Sequence, residues 1–466
     1  MSPYRPSRYN FTVRGERGGV ALFNAATGSV VRLDGPHAEA LAEALVNPGL
    51  IFSGTEFSAE LGERLRNGGF LIQNYFNELQ AIRERYWRAR GETPIVLTIT
   101  TTMDCNLGCY YCYEERSGHA LKSTDVAAIV DLAKRFVTGS GRHSLHVDWY
   151  GGEPLLNLEF LEAASLELQE YCEREGVSYV ASIISNGTLW PGDVEAFVAR
   201  NRIRQVQISF DGLQTNHDKR RRYRRDHDNA CDSSFAEAVN LVDRLVRCVR
   251  VDLRFNIDRA NSGDLVPFIR FAKDRGWFNA VFPAVFQPAR LASYSEASDF
   301  MRKYELSLDE FDALRAIVRN EIGTGARIEE SEIPDGFPRP KTSVCAALAA
   351  NSLVVGADGL TYRCGLQAGE TKRAVGTLED RSHVTAAWND QSWWEAFDPT
   401  SAPSCSKCSF LPICWGGCPK KHLEGDVHAI QEQGRYWRNN LLRLIAHTAG
   451  IEAPRETVVA DALQFR

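Results

Sequence analysis

Nine of the twelve cysteines in the 466-residue sequence fall into two groups, and these residues have the most evident capacity for chemistry. The first group is Cys105, Cys109 and Cys112, and the second is Cys345, Cys364, Cys405, Cys408, Cys414 and Cys418. In a chain without a recognisable secretion signal, such clustering indicates metal binding or catalysis more than disulfides. Cys172, Cys231 and Cys248 stand alone, and we predict that they are small buried side chains without a role.

The first group lies in MDCNLGCYYCYEE, immediately after a predicted strand. Three thiolates at spacings of four and three suit a [4Fe–4S] cluster, which needs one ligand per iron. Three cysteines therefore leave one iron open, so the predicted cluster is a reactive site rather than a closed electron-transfer centre. A zinc site that lacks a recognised fourth ligand, or three unconnected cysteines, are the alternatives.

The run CNLGCYYC resembles the defining motif of the radical S-adenosylmethionine enzymes, including the aromatic residue Tyr111 before the third cysteine. The resemblance implies that the open iron binds the amino and carboxylate groups of S-adenosylmethionine, with Tyr111 among the cofactor contacts. It also implies that reductive cleavage gives a 5′-deoxyadenosyl radical, which abstracts a hydrogen from the substrate. The cofactor carries this chemistry, and the protein supplies binding, orientation and exclusion of solvent.

Three further motifs follow the next predicted strands: WYGGEP at 149–154, SNGT at 185–188 and SFDG at 209–212. Each motif by itself is typical of a turn or a helix cap. The family resemblance instead assigns them to the cofactor, with Gly151, Gly152 and Glu153 at the methionyl amino group. Short polar side chains meet ribose and methionyl atoms, and these are Ser185, Asn186, Ser209 and Asp211.

Two later segments, HDKR at 217–220 and RFNID at 254–258, continue the resemblance without individual roles. A solvated basic loop is the alternative interpretation of the first segment.

The second cysteine group, with Gly359 five positions before Cys364 and the run CSKCSFLPICWGGC, resembles the SPASM domain of radical enzymes that act on peptides and proteins. CxxC pairs alone also fit zinc. The resemblance implies one or two auxiliary [4Fe–4S] clusters, the first held by Cys345, Cys364 and Cys418, the second by Cys405, Cys408 and Cys414.

Both auxiliary ligand sets are one cysteine short, because no cysteine follows Cys418 and none lies between Cys248 and Cys345. An iron of the first cluster could therefore be open to substrate. In the second cluster an iron could be open, the cluster could be absent, or another side chain could substitute; the candidates are His422, Asp426, His428 and Gln433.

Apolar β-like runs alternate with helical patterns between residues 91 and 290, which predicts parallel strands covered by helices. The predicted strands are IVLTITT, SLHVDWY, YVASIIS, QVQISF, VDLRFNI and AVFPAVF. Six such units favour an α/β fold of the partial (β/α)6 TIM-barrel type, in which the strand ends face the ligand. The motifs above follow those ends.

Residues 1–90 show short strands, a hairpin and two amphipathic helices, and resemble the winged-helix element by which peptide-modifying enzymes hold a leader peptide. Such an element binds by adding a strand to a sheet edge; a fold-stabilising cap is the alternative. Residues 291–344 are predicted to bridge to a SPASM domain and C-terminal helix at 345–466.

The net charge of −6 favours neither nucleic acid nor an anionic membrane, and no apolar run reaches about 18 residues. We therefore expect a cytoplasmic enzyme that binds a precursor peptide and a reducing partner such as flavodoxin or ferredoxin. Our leading hypothesis is a peptide maturase that installs a thioether or carbon–carbon crosslink, or an oxidation. The alternatives are a formylglycine-forming, sulfatase-activating type of enzyme and a non-catalytic iron–sulfur carrier or peptide scaffold.

Overall fold

The computed structural model describes residues 3–15, 19–53, 56–114, 116–226, 232–293, 296–323, 337–379, 389–449 and 451. They form two compact units. The first unit combines Met1–Glu92 with Ser331–Cys345 and Ala396–Arg466, and the second combines Thr93–Glu330 with Ala346–Glu395. This division differs from the four consecutive domains predicted from the sequence, because the C-terminal segment belongs to the same unit as the N-terminal one.

The first unit begins with a small antiparallel sheet in which β3 lies between β2 and β4, while β1 pairs with β5. The hairpin predicted at AATG joins β3 to β4, and both predicted amphipathic helices are present. Its N-terminal elements are β1 (Tyr4–Pro6), β2 (Asn10–Arg14), β3 (Val20–Asn24), β4 (Val30–Leu33), α1 (Ala38–Leu45), α2 (Ala59–Asn67), β5 (Leu71–Gln73) and α3 (Glu78–Gly91).

The second unit alternates strands with helices over most of its length. Its strands are β6 (Ile95–Thr100), β7 (Ser144–Tyr150), β8 (Ser178–Ser185), β9 (Ile203–Phe210), β10 (Arg250–Ile257), β11 (Val285–Arg290), β12 (Ser352–Val355), β13 (Leu360–Tyr362) and β14 (Gly376–Thr377). The helices of this part of the chain are α4 (Val126–Ser140), α5 (Leu158–Arg174), α6 (Val194–Arg200), α7 (Gln214–Arg220), α8 (Ser234–Leu245), α9 (Leu265–Asp274), α10 (Leu308–Ile322) and α11 (Asn389–Ala396).

These strands form one sheet in the order β11-β10-β9-β8-β7-β6-β12-β13-β14, and β6 to β12 pair in parallel. The predicted α/β class with a mostly parallel central sheet is therefore confirmed. The predicted last strand begins later than expected, at Val285, and Val281 and Phe282 before it are exposed instead of pairing in the sheet. Pro288 is tolerated in β11 because that strand lies at the sheet edge.

Alternating side chains of the parallel strands divide the second unit into an apolar side and a polar side. Leu97, Val147 and Ile183 are fully buried among the covering helices, as period-two alternation requires. On the other face, Ser182 and His146 donate hydrogen bonds to Asp148, and Gln287 Nε2 donates to Asp252 at 2.8 Å. The carboxylates of this polar layer therefore have hydrogen-bond partners. The layer precedes the strand ends that carry the motifs.

The C-terminal segment completes the first unit with α12 (Pro403–Ser406), α13 (Leu411–Cys414), α14 (Pro419–Leu423) and α15 (Val427–Ala449). The phenol of Tyr86 in α3 donates to the carbonyl of Phe397 at 2.7 Å, and Arg83 Nε lies 2.8 Å from Asp398 Oδ2. The ring of Phe11 packs 4.8 Å from that of Phe410. None of the helices in the described ranges is both long and apolar enough to cross a membrane.

Candidate active site

The sequence motifs converge at the carboxyl edge of the parallel sheet. The loop after β6 carries Cys105, Cys109 and Cys112, and the turn after β7 carries Gly151–Glu153. Ser185 ends β8 and Asn186 follows it, whereas Ser209 lies in β9 just before Asp211. Neighbouring parallel strands present their carboxyl ends at one edge, which is where α/β folds bind ligands.

Two glycines hold the cysteine loop against the end of β7. Gly152 N donates to Thr102 O at 3.0 Å, and Glu153 N donates to Asp104 O at 2.9 Å. A Cβ on Gly151 would lie 2.3 Å from Thr102 O, and one on Gly152 would lie 2.3 Å from Asp104 O. Gly151 also has a φ of 140°, which favours glycine. The two glycines are thus needed for the backbone approach that positions the residues before Cys105.

Glu153 is fully buried and joins the ends of β7 and β8. Its Oε1 accepts from Ser185 Oγ at 2.9 Å and from Leu155 N at 3.3 Å, while Oε2 accepts from Asn186 N at 2.7 Å. Burial raises the pKa of this carboxyl to about 7, although those three donors oppose the shift. The side chain therefore supports neighbouring residues of the site, and its predicted contact with a methionyl amino group remains a prediction.

Asn186 links the end of β8 to the cysteine loop. Its Nδ2 donates to Asn106 Oδ1 at 2.8 Å and lies 3.7 Å from Cys105 Sγ. Asn106 in turn donates to Thr188 Oγ1 at 2.8 Å. The SNGT motif thus contacts the first cysteine directly.

Tyr111 belongs to a buried network of charged and polar side chains centred on Asp211. The Tyr111 hydroxyl donates to Asp211 Oδ1 at 2.7 Å and accepts from Arg221 Nη1 at 2.9 Å. Arg220 bridges two fully buried carboxylates, with its Nε 2.9 Å from Asp211 Oδ2 and its Nη2 2.9 Å from Asp258 Oδ2. The network fixes the ring that lies between Cys109 and Cys112 in the sequence.

Sequence reasoning assigned no role to Arg220, Arg221, Asn256 or Asp258. The HDKR and RFNID segments that contain or adjoin them were the available signal, since HDKR ends the short helix α7 that follows β9 and RFNID ends β10. Their charge suggested a solvated loop, but the structure buries Arg220 and Arg221.

A cavity of about 330 Å³ lies at this edge of the sheet. All three cysteines of the loop line it, as do Tyr111, Gly151, Gly152, Ser185, Asn186 and Ser209. Glu153 and Asp211 are not among the described residues that line it, so they lie behind the surface residues that they support. Further lining residues that carry charge are Glu114, Arg116, Arg221, Arg254 and Arg290.

The thiols of the cavity are in an environment that disfavours bare thiolates. Burial raises the pKa of Cys105 and of Cys112 to about 12, and nearby Glu153 and Glu114 add to these shifts. Burial also raises the pKa of Cys109, whereas the Arg221 guanidinium opposes the rise. Since coordinated thiols are deprotonated outright, a positively charged metal centre would hold these sulfurs as thiolates where the apoprotein does not.

The donor set fits an iron–sulfur cluster. Three soft sulfur atoms face one cavity, which also has polar groups for a cofactor. Within the described ranges, no three His, Cys, Asp or Glu side chains are grouped closely enough to hold a single metal ion. That grouping is a requirement of a mononuclear site but not of a cluster, in which each thiolate binds its own iron.

Four of the C-terminal cysteines lie in or beside short helices of the first unit, and Cys408 lies between α12 and α13. Cys405 is in α12, Cys414 ends α13, and Cys418 precedes α14. Burial raises the pKa of Cys414 to about 11, with Cys405 and Cys408 adding to the shift and Lys341 opposing it. Cys405, Cys408 and Cys414 are therefore electrostatic neighbours, as their predicted common cluster requires.

Four residues were predicted as possible replacements for the missing cysteine ligand of the second auxiliary cluster, and their surroundings differ. His422 Nε2 lies 2.7 Å from Gly416 O, and a Cβ on Gly416 would lie 3.8 Å from Cys405 Sγ. Asp426 is paired with Lys421 at 3.0 Å, and His428 is exposed. Gln433 packs beside Gly417. Of the four, His422 lies beside Gly416, which is close to Cys405, and within the described residues it forms no ion pair with a carboxylate.

The remaining cysteines are distributed between the two units. Cys364 follows β13 in the second unit, whereas Cys345 and Cys418 belong to the first unit, so their grouping around one cluster remains a prediction. Cys172 is buried in α5, as expected, and Cys248 is half-buried. Cys231 lies outside the described residues.

Comparison with known proteins extends these observations. Residues 99–250 match the family model described as the Radical SAM superfamily. The serine-type anaerobic sulfatase-maturating enzyme of Klebsiella aerogenes is 26% identical over 328 residues, which cover 68% of this chain and 77% of that relative. The mycofactocin maturase MftC of Mycolicibacterium smegmatis is 23% identical over 340 residues, covering 70% and 78% of the two chains.

Solved structures with a similar fold include anSMEcpe with bound AdoMet and Streptococcus suis SuiB bound to its precursor peptide SuiA. The first is 20% identical with a TM-score of 0.57, covering 77% of this chain and 99% of that one. The second is 17% identical with a TM-score of 0.51, covering 90% and 97%.

Proposed function

Since this chain contains a radical SAM domain and is homologous to maturating enzymes, we propose that it is a peptide maturase that installs a crosslink or an oxidation in a ribosomally made precursor. One observation carries the proposal: three cysteines, a glycine turn and the SNGT motif line one cavity at the carboxyl edge of a parallel sheet. An iron–sulfur carrier would not need the cofactor-sized cavity beside the cysteines.

Cys105, Cys109 and Cys112 would hold the cluster, and Gly151, Gly152, Ser185, Asn186 and Ser209 would contact S-adenosylmethionine. When bound, the cluster and cofactor supply a 5′-deoxyadenosyl radical that removes a substrate hydrogen. The chain itself orients these ligands: Glu153 holds Ser185 and Asn186, and Asp211 with Arg220 and Arg221 holds Tyr111. Auxiliary clusters at the later cysteines would accept the electron left on the substrate.

Recognition of a leader peptide is proposed for the first unit. Strand β4 lies at the edge of its three-stranded sheet, so a peptide strand could be added there. The fold of SuiB, a structure described with its precursor peptide, covers 90% of this chain, against 77% for anSMEcpe. This wider correspondence supports the leader-dependent proposal, and maturation of a sulfatase, the activity named for the Klebsiella relatives, is the second candidate.

A direct assay tests the proposal. The anaerobically reconstituted protein is incubated with S-adenosylmethionine, a reductant and, as candidate precursor, the peptide of a short open reading frame identified beside the gene. We expect 5′-deoxyadenosine and a peptide that has lost hydrogen mass. Cys105→Ala, Cys109→Ala and Cys112→Ala abolish both products, whereas Cys248→Ser, outside the cavity, retains them. An unmodified peptide, or 5′-deoxyadenosine at the parental rate in any loop variant, would contradict the assignment.

A further inference from the structure

Arg254 lines the cavity but has no part in the arrangement described above. Arg254 lies in β10, in register with Ser209 of β9 and Gln287 of β11. It is half-buried and lines the same cavity as the three cysteines. Arg254 follows Asp252 of the polar layer by two residues, so it is closer to the carboxyl end of β10. Its neighbour in β9 is Ser209, which also lines the cavity.

The hydrogen bonds of Arg254 leave most of its guanidinium available. Nε donates to Asn256 Oδ1 at 3.1 Å. Among the residues that the structure describes, neither of its two terminal nitrogens donates a hydrogen bond, and no carboxylate pairs with it. Asn256 is fixed in turn, because its amide donates to Asp211 Oδ1 at 3.3 Å. The Arg254 guanidinium, which is planar and always charged, is thus held through its Nε alone.

The other arginines of the cavity differ from Arg254 because each is bound to the protein by a terminal nitrogen. Arg221 Nη1 donates to Tyr111, Arg116 Nη2 donates to Leu107 O at 2.9 Å, and Arg290 Nη1 donates to Leu306 O at 2.7 Å. The acidic side chain of the cavity, Glu114, hydrogen-bonds Tyr150 and has Arg116 as its cationic neighbour. The positive charge of Arg254 is therefore left for a ligand, and an arginine fork matches a carboxylate in geometry and charge.

We propose that Arg254 binds a carboxylate of the peptide substrate, the side chain of an Asp or Glu close to the residue that is modified. This inference rests on the proposed peptide substrate and specifies one feature of its sequence. S-adenosylmethionine also carries a carboxylate, but Arg221 is bonded to Tyr111 of the cysteine loop at 2.9 Å and keeps a buried Nε without a partner among the described residues, whereas Arg254 bonds Asn256 of its own strand. The cofactor carboxylate thus belongs with Arg221, and Arg254 is left for the substrate.

The test compares two small probes that differ only in charge, N-acetyl-L-glutamate N-methylamide and its glutamine counterpart. Their binding to the reconstituted full chain with saturating S-adenosylmethionine is measured anaerobically by ligand-observed NMR. We expect the glutamate probe to bind about tenfold more tightly than the glutamine probe, as suits a charge-assisted pair. The preference disappears in Arg254→Gln and persists in weakened form in Arg254→Lys, which keeps a point charge. Arg247→Gln, at an exposed arginine outside this cavity, leaves the preference unchanged.

Several outcomes would overturn the inference: equal binding of the two probes, binding of neither, or an undiminished preference in Arg254→Gln. A tenfold weaker affinity of Arg254→Gln for S-adenosylmethionine would instead assign the arginine to the cofactor. If Arg254→Gln does not bind iron, Arg254→Lys takes its place in the test. A preference for the glutamate probe as large in Arg254→Lys as in the parent would then contradict the proposal. The probes need neither a leader nor turnover, so a negative result leaves the maturase proposal standing, and an unmodified precursor in the earlier assay leaves probe binding unaffected.

Discussion

The backbone of Gly152 approaches that of Asp104 so closely that a Cβ at residue 152 would lie 2.3 Å from the Asp104 carbonyl oxygen and 2.7 Å from its carbonyl carbon. Both partners are backbone atoms, which cannot move aside as a flexible side chain can. The end of β7 therefore sets the position of the chain one residue before Cys105. The geometry of the cysteine loop depends on a residue more than forty positions later.

Gly152→Ala is expected to displace the cysteine loop and to lower iron incorporation several-fold, because the added methyl group must push the Asp104 backbone away. Iron content and the iron–sulfur absorbance after reconstitution measure the effect. Gly139→Ala is the matched control, because Gly139 lies in α4 with no atom within 4 Å of the added Cβ. Because Gly139 is the last residue but one of α4, that control should change stability by less than about 1 kcal/mol. A normal iron content of Gly152→Ala would show that the contact between Gly152 and Asp104 does not position the cysteine loop.

Glu153 predicts a pH dependence of apoprotein stability. Its folded-state pKa is raised to about 7, above its ordinary value, so the folded state binds the proton more tightly than the unfolded state. Its stabilising contribution is full below about pH 4.5 and declines as the pH rises through about 7, with a slope approaching about 1.4 kcal/mol per pH unit for one group.

Glu153→Gln cannot titrate and should lack this decline, although it loses stability by facing an amide group towards Asn186 N. Denaturant midpoints of the two apoproteins from pH 5 to 8 provide the measurement. Parallel curves for parent and variant would show that Glu153 keeps an ordinary pKa in the folded state.

Cys364→Ala is predicted to separate the two reactions of the proposed maturase, cleavage of S-adenosylmethionine and modification of the peptide. Hydrogen abstraction needs the first cluster, whereas the electron left on the substrate requires an acceptor whose potential is set by the protein. The variant should contain less iron and form 5′-deoxyadenosine without modified peptide. Cys172→Ala, at a cysteine buried in α5, is the control for removal of a thiol. Zinc in place of iron, or full product formation by Cys364→Ala, would refute the auxiliary cluster.

Arg32→Pro tests strand addition at β4. Asn24 N donates to Ser29 O, so by the alternation of antiparallel pairs the N–H of Arg32 points away from β3. Proline removes that donor without removing a bond to β3. We expect leader affinity to fall at least several-fold by calorimetry, whereas Arg32→Ala keeps the N–H and retains binding. Equal affinities of the two variants would exclude a backbone contact at this edge.

The sequence alone predicted the parallel strands β6 to β10 and the three cysteines of the main site. Strand periodicity and the turn signals that follow each strand are local, so β6 to β10 were predicted where they occur. The spacing of Cys105, Cys109 and Cys112 is likewise local, and it indicated a cluster with an open iron. Parallel pairing then requires that motifs at successive strand ends meet at one edge, which brought Gly151, Asn186 and the cysteines together.

Only the tertiary structure decided which side chains face the cavity and which support it. Glu153 and Asp211 were predicted as cofactor contacts, yet their carboxylates bind Ser185, Asn186, Tyr111 and Arg220. The pairing of Tyr86 with Phe397 and of Arg83 with Asp398 spans more than 300 residues, and it joins both ends of the chain in one unit. Such contacts depend on where distant segments pack, and neither residue periodicity nor motif spacing encodes that position.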